Sequence, residues 1–262
     1  MPQSPPQTVQ RWALWEITVP NTRGYSNPFT DVALHATFIA PSGRRITVSG
    51  FYDGEQRWRV RWMPDETGHW RYEMRFSDDS ARATGGFRCT PGKLHGPLRV
   101  RKQNPLWFEH ADGTPFYMRA FHLWNIDVLD ERTLNSTLDW LKKQGFNTIV
   151  GPHLHPQHPV PRLPWEQKRD GQIDFTRFHL PLWQNMDRAL RALSVRGMVL
   201  ALRLRGNTFT QQEADLLEQI THHLPVSPPL SKENVVVLAL VHRFAPLAKR
   251  LRGIRRATLF ER

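Results

Sequence analysis

From residue 8 to residue 92, apolar and polar positions alternate with the period of two that marks strands buried on one face. Val32, Leu34, Ala36 and Phe38 alternate with Ala33, His35 and Thr37, and the APSG at 40–43 supplies a turn before a strand at Arg45–Val48. Trp58, Val60 and Trp62 alternate with Arg57, Arg59 and Arg61. After the turn-forming MPDETG, Trp70, Tyr72, Met74 and Phe76 alternate with His69, Arg71, Glu73 and Arg75. This spacing predicts a hairpin with an aromatic face buried and a charged face in water. Asn27-Pro28 and Gly85-Gly86 mark further turns.

Beyond the PGKLHGP of 91–97, which reads as a linker, the rhythm changes to strand then helix. ADGT gives a turn and Phe116 to Phe121 an apolar strand. Asp130 caps a helix with Leu134, Leu138 and Leu141 on one face, and Gly145 ends it. Thr148 to Val150 is a short buried strand, followed by a proline-rich loop. A second helix carries Leu182, Met186, Leu190 and Leu193 inward, with Gly197 as its stop, and Met198 to Leu204 is a third strand. Thr210 with Glu213 makes a capping box for a third helix, Val235 to Leu240 is a fourth strand, and a basic helix closes the sequence. Buried strands each followed by a helix predict a parallel sheet. The expected fold class is therefore multidomain: an all-β immunoglobulin-like sandwich at 8–92, then an α/β parallel (β/α)-barrel-like domain at 97–262. A complete eight-fold barrel takes about 250 residues, so the second domain is expected as about four units, truncated.

Charge changes this picture little. The formal net charge is +12, but from Arg243 onward seven basic residues stand against Glu261 alone, so the excess is concentrated at one end. No domain-wide phosphate-binding stripe is visible, and a specific nucleic-acid partner is not expected. The basic segment reads either as a solvated helix face or as a surface-binding amphipathic helix with Phe244, Leu247, Leu251 and Ile254 on one side. Cys89 is the single cysteine, which excludes an internal disulfide and argues against a cysteine-based metal site. No apolar run approaches the ~20 residues of a membrane span. MPQSPPQ lacks the basic and apolar regions of a leader peptide, so the expectation is a cytoplasmic protein, or a secreted one if the start is mis-called.

The N-terminal pattern resembles the immunoglobulin-like domain of unknown function that precedes the barrel in many bacterial apiosidase-like glycoside hydrolases. The residues that carry the likeness are Trp15-Glu16, Asn27-Pro28-Phe29, Asp31-Val32, Phe38, Pro41-Ser42-Gly43 and Gly50-Phe51-Tyr52-Asp53-Gly54. They continue through Trp58-Arg59-Val60-Arg61 to Pro64, Gly68, Trp70 and Tyr72. Asp112-Gly113-Thr114-Pro115-Phe116 and Gly145-Phe146-Asn147 resemble the start of the attached barrel. The resemblance implies a carbohydrate-processing background, with an acid/base Glu in an Asn-Glu pair closing the fourth strand. That pair falls here on Val241 and His242. Glycoside cleavage needs two carboxyls flanking the bond, so catalysis is expected to be impaired.

In a parallel barrel, functional side chains sit at the carboxyl ends of strands. Those ends offer His122, Trp124, Asn125 and Asp127 after the first strand. His153, His155 and His158 follow the second, Arg203 and Arg205 the third, and His242 the fourth. Trp124 would be a stacking platform and the imidazoles hydrogen-bond partners for sugar hydroxyls; alternatively, His122 and Trp124 simply pack on the first helix. His153-Leu154-His155 has the spacing of a metal-ligand pair, but no carboxylate cluster accompanies it, and neither metal nor cofactor is expected. Arg57, Arg59, Arg61, Arg71 and Arg75, with Glu73, are expected on one sheet face, as soluble surface or as a dock for an acidic saccharide or the neighbouring domain. The functional expectation is a glycoside-hydrolase-related protein acting on or binding carbohydrate; if active, a glycoside hydrolase. The alternatives are a non-catalytic carbohydrate-binding or assembly module and a basic surface-binding protein. Exposed sheet edges of a truncated barrel would favour self-association.

Overall fold

The computed structural model describes residues 8–104, 106–154 and 165–204, and these divide into two compact units at Pro97/Leu98. The first unit contains β1 (Thr8–Gln10), β2 (Trp15–Pro20), β3 (Leu34–Ile39), β4 (Arg45–Ser49), β5 (Phe51–Tyr52), β6 (Arg57–Trp62), β7 (Gly68–Phe76) and β8 (Arg82–Thr90). Two sheets result, one of five strands in the order β1-β8-β7-β3-β4 and one of three in the order β2-β6-β5. Side chains from both sheets form one core. Trp15 of β2, fully buried, stacks on Phe87 at 4.9 Å and meets Phe38 edge-on at 5.5 Å, both on the larger sheet.

The expected hairpin at 51–76 is corrected. β6 pairs with β2 and β5, with Ile17 opposite Val60, whereas β7 pairs with β3 and β8, with Phe38 opposite Tyr72. The MPDETG segment crosses between sheets. Its carbonyls at Pro64 and Asp65 accept from the Trp12 amide and the Arg11 Nε, each at 2.8 Å, and the Glu66 carbonyl accepts from the Trp70 indole at 2.9 Å. Alternation was read correctly, but it reports which face is buried and not which neighbour a strand takes. Two aromatic faces in one hairpin would need a further layer to cover them; on opposite sheets each covers the other.

The arginine face divides for the same reason. Arg71 and Arg75 remain exposed on β7, while Arg59 and Arg61 lie on the other sheet. Arg61 is fully buried, its Nε donating to Glu16 Oε2 and its guanidinium 4.7 Å from the Phe51 ring. Arg59 bridges Glu16 at 2.8 Å and the buried Asp53 at 2.6 Å.

Near these sheets, Asp78 accepts from the Ser80 hydroxyl at 2.6 Å and the Tyr25 hydroxyl at 2.7 Å, with Arg23 at 3.4 Å. The Ser80 hydrogen bond, followed by those of Tyr25 and the Ser80 amide and by the Arg23 charge, lowers its pKa from 3.8 to about 2 despite some desolvation. A carboxyl held below its unfolded value stabilises the fold above that value and loses the contribution as pH falls through the folded one. Asp78→Asn should therefore flatten the acid limb of thermal stability between about pH 4 and pH 2, read as Tm against pH beside the parent protein. Two parallel limbs would refute the assignment.

The second unit contains β9 (Leu98–Val100), β10 (Phe108–His110), β11 (Pro115–Phe116), β12 (Ala120–His122), α1 (Glu131–Lys143), β13 (Thr148–Leu154), β14 (Trp165–Gln167), β15 (Ile173–Phe178), α2 (Leu180–Ser194) and β16 (Val199–Leu204). Both helices form where the leucine spacing places them. Asp130 caps α1 by accepting the Thr133 amide at 2.9 Å, and Leu134, Leu138 and Leu141 are buried. Leu182, Met186, Leu190 and Leu193 of α2 are buried as well.

The expected fold class, an immunoglobulin-like sandwich followed by a (β/α)-barrel-like domain of about four units, is overturned. Among the described residues the chain is mostly strand, in five small sheets with two helices, and no (β/α) barrel is present. The parallel sheet has three strands, β12-β13-β16. The apolar run from Phe116 to Phe121 is two strands in different sheets: β11 pairs antiparallel with β10, while β12 pairs parallel with β13. The split is imposed at Arg119, whose amide donates to Asn147 Oδ1 at 2.8 Å while Asn147 Nδ2 donates to the Tyr117 carbonyl at 2.8 Å. β14 and β15 add an antiparallel pair where only a loop was expected. The expected third helix, the fourth strand at 235–240 and the basic helix lie outside the described residues. Among the described residues no helix is long and apolar enough to cross a membrane.

Candidate functional site at the carboxyl edge of the parallel sheet

Three parallel strands lie side by side in the second unit, with β13 and β16 running on past the end of β12. Ala120, Phe121 and His122 of β12 pair with Thr148, Ile149 and Val150 of β13, which pair in turn with Val199, Leu200 and Ala201 of β16. The chain leaving β12 folds directly over this edge, because the Leu123 amide donates to the Val150 carbonyl at 3.0 Å. Gly151 makes that approach feasible: its φ is +132°, and a Cβ there would lie 2.7 Å from the Leu123 carbonyl oxygen.

The segment after β12 carries four of the residues singled out from the sequence. His122 is exposed, and its ring lies 5.3 Å from that of Trp124, tilted by 50°. Trp124 is 46% exposed, so part of it is open to solvent. Asn125 is exposed and its carbonyl closes a turn by accepting the Val128 amide at 3.0 Å. Ile126 and Asp127 are buried beneath that turn and anchor it. α2 braces the same segment, with Arg188 donating to the Leu129 carbonyl at 2.6 Å. The result is a fixed loop that displays an imidazole, an indole and a carboxamide.

Of the remaining candidates, His153 and Arg203 occupy one rung at the carboxyl ends of β13 and β16, past a register shift after Val150. His155, His158, Arg205 and His242 lie outside the described residues. Among the described residues no group of three or more His, Cys, Asp or Glu is placed to hold a metal ion. Cys89 is buried, and that burial pushes its thiol up to about 11.

Sequence reasoning passed over a second exposed aromatic pair. Trp107 and Tyr117, 46% and 66% exposed, lie with ring centroids 5.8 Å apart. The signal was present, since the two stand equally far on either side of Asp112 in a turn flanked by strand residues.

Residues 8–77 match the model of a family described as Domain of unknown function (DUF5060). Among solved structures the chain is similar to a candidate glycoside hydrolase from Bacteroides vulgatus, with a TM-score of 0.69 and 26% identity, covering 87% of this chain and 48% of that one. The chain thus spans about half the length of that relative. Weaker likenesses include the β-mannanase of the blue mussel Mytilus edulis, at a TM-score of 0.32 and 14% identity over 50% of this chain and 40% of the other. The endo-1,4-β-mannanase of Rhizomucor miehei follows at 0.31 and 13%, over 42% and 28%. Likeness at that level carries no argument. No curated protein matches the sequence. The chain is therefore glycoside-hydrolase-like and carries a domain of unknown function; these matches do not name the apiosidase-like family.

Proposed function

We propose that this chain belongs to a carbohydrate-active system related to glycoside hydrolases, and that it holds saccharide at the carboxyl edge of its parallel sheet without cleaving it by the usual two-carboxylate route. The observation that carries the reading is the His122–Trp124 pair, held exposed on a braced loop in a chain whose likeness to a candidate glycoside hydrolase extends over most of its length. An exposed indole can cover the apolar face of a pyranose, and the neighbouring imidazole and carboxamide supply donors and acceptors for its hydroxyls. Cleavage requires an acid and a second carboxylate on opposite sides of the bond, about 5–5.5 Å apart for retention and about 6.5–9.5 Å for inversion. The loop after β12 contributes one carboxylate before the helix cap, Asp127, and it is buried.

A panel of plant and bacterial polysaccharides, scored separately for retention and for release of reducing ends, tests both halves. Retention without release is expected, and Trp124→Ala should weaken it by about tenfold, the loss typical of an anchoring aromatic. His122→Ala should act in the same direction, with a smaller effect. Release of reducing ends that stops when one acidic side chain is neutralised would overturn the reading. So would retention indifferent to Trp124.

The non-catalytic module is thus preferred to the active hydrolase. The basic surface-binding alternative concerns residues 243–262, which lie outside the described residues.

A further inference from the structure

The sheet β11-β10-β9 has two unlike faces. Its inner face is apolar: Leu98 and Phe116 are buried with Val199, and Phe108 and Met118 pack against them. On the opposite face Arg99 Nη2 reaches Glu109 Oε1 at 2.8 Å, and Arg101 Nε approaches Glu109 Oε2 at 3.7 Å. Strand alternation carried one residue back from β10 places Trp107 on the face of Glu109, which follows it by two residues. The Arg101 amide donates to the Trp107 carbonyl at 2.8 Å, which sets Arg101 and Trp107 side by side. Tyr117 completes the row, its ring 5.8 Å from that of Trp107 and inclined by 37°.

Two features distinguish this face from ordinary surface. The rings form a shallow aromatic shelf at 46% and 66% exposure, beside the adjacent Leu106 at 77%. Beside the shelf, two guanidinium groups share one carboxylate. Arg99 holds Glu109 closely, while Arg101 touches it only through a distant Nε and keeps 46% of its side chain exposed. Its outer N–H groups therefore remain able to receive a second carboxylate as a fork. The face thus pairs a stacking surface with two guanidinium groups that, among the described residues, share the single carboxylate of Glu109.

We infer that this face is a binding subsite for an acidic pyranose, a uronic acid unit of a saccharide, with Trp107 and Tyr117 against the sugar ring and Arg101 on its carboxylate. The inference rests on the reading that the chain engages carbohydrate, and adds a second location and a substrate charge. Charge complementarity selects the occupant. A neutral sugar would leave the outer N–H groups of Arg101 unused, its contact with Glu109 being a single one at 3.7 Å, and a simple polyanion would leave the two rings uncovered.

The test uses the full chain with trigalacturonate, neutral galactotriose and oligoglutamate of matched charge as probes, measured by calorimetry at moderate salt. The oligoglutamate arm is essential because a protein of net charge +12 attracts any polyanion. Trigalacturonate is expected to bind at least tenfold more tightly than either control. Trp107→Ala and Tyr117→Ala should each weaken it about tenfold without changing oligoglutamate binding. Arg101→Gln should abolish the preference for the acidic over the neutral sugar. All three side chains are substantially exposed, so melting temperatures close to the parent's are expected and show that the fold is kept. Variants that hold trigalacturonate as tightly as the parent overturn the inference, as does equal binding of oligoglutamate. Retention of neutral saccharide alone overturns it while leaving the reading at the β12 edge intact; failure to bind any saccharide removes both.

Discussion

Trp15→Ala should lower the stability of the first unit by about 3–5 kcal/mol, the range for removing a large aromatic from a packed core. Trp15 is fully buried and is the piece of β2 inserted between rings of the other sheet, meeting Phe38, Tyr72 and Phe87 at once. Its removal leaves a cavity that neither sheet can close without losing register, because β2 is fixed to β6 along its whole length, from Trp15 opposite Trp62 to Pro20 opposite Arg57. Trp15→Phe keeps a ring in place and should cost markedly less. Chemical denaturation of the three proteins, compared at equal m-value, checks both. A cost under about 1 kcal/mol for the alanine variant would mean that the two sheets do not share this core.

The second large effect is expected at Glu16, and it is asymmetric. Glu16→Ala removes the carboxylate that accepts from Nε of the fully buried Arg61 and should destabilise by about 3 kcal/mol, as is usual when one member of a buried pair is removed. Arg61→Met should cost less. Glu16 retains Arg59 at 2.8 Å and keeps a fifth of its side chain in water, and an apolar chain fits the space against Phe51. The double variant Glu16→Leu with Arg61→Met should recover much of the loss, since two apolar residues replace two desolvated charges. A double-mutant cycle by thermal or urea unfolding measures this. Equal single costs, with no recovery in the double variant, would show that the pair is not isolated from water as the structure has it.

Neither result was legible in the pattern of alternating residues. Period-two spacing identified the buried residues of β3 and β7 and, through Trp58 and Val60, most of β6. It failed at Arg61, which sits on the face of charged residues yet is covered, because a cation can be buried when a carboxylate is opposite, and Glu16 faces it across β2. Nothing local to residues 57–62 reveals that partner. The same limit explains the missed sheet change: pairing depends on residues distant in sequence, whereas periodicity is a property of neighbours. Helices fared better, since caps and i, i+4 leucines are local; Asp130 and the three leucines of α1 were read with their roles. The barrel expectation failed where Asn147 ties Tyr117 and Arg119 into a break, a contact across thirty residues that an apolar run conceals.

At the candidate site, the grouping of His122, Trp124, Asn125 and Asp127 was legible because they lie at and just after the end of one strand. Their division into displayed and anchoring residues was not, since Asp127 is buried and Trp124 is exposed within three positions of each other. Trp107 and Tyr117 were missed because equal spacing about the turn at Asp112 is a weak signal by itself, and the pairing of β10 with β11 is what gives it meaning. Arg101 joins them only through the further pairing of β10 with β9.

The parallel pairing of β1 with β8 sets a condition on how this protein is born. Val9 lies opposite Cys89, so the edge of the five-stranded sheet is made by the first and last strands of the unit. A chain emerging from the ribosome cannot finish this sheet until the eighth strand has left the tunnel, and until then Trp15 and Trp70 lack the cover of Phe87, a delay during which chaperones can act.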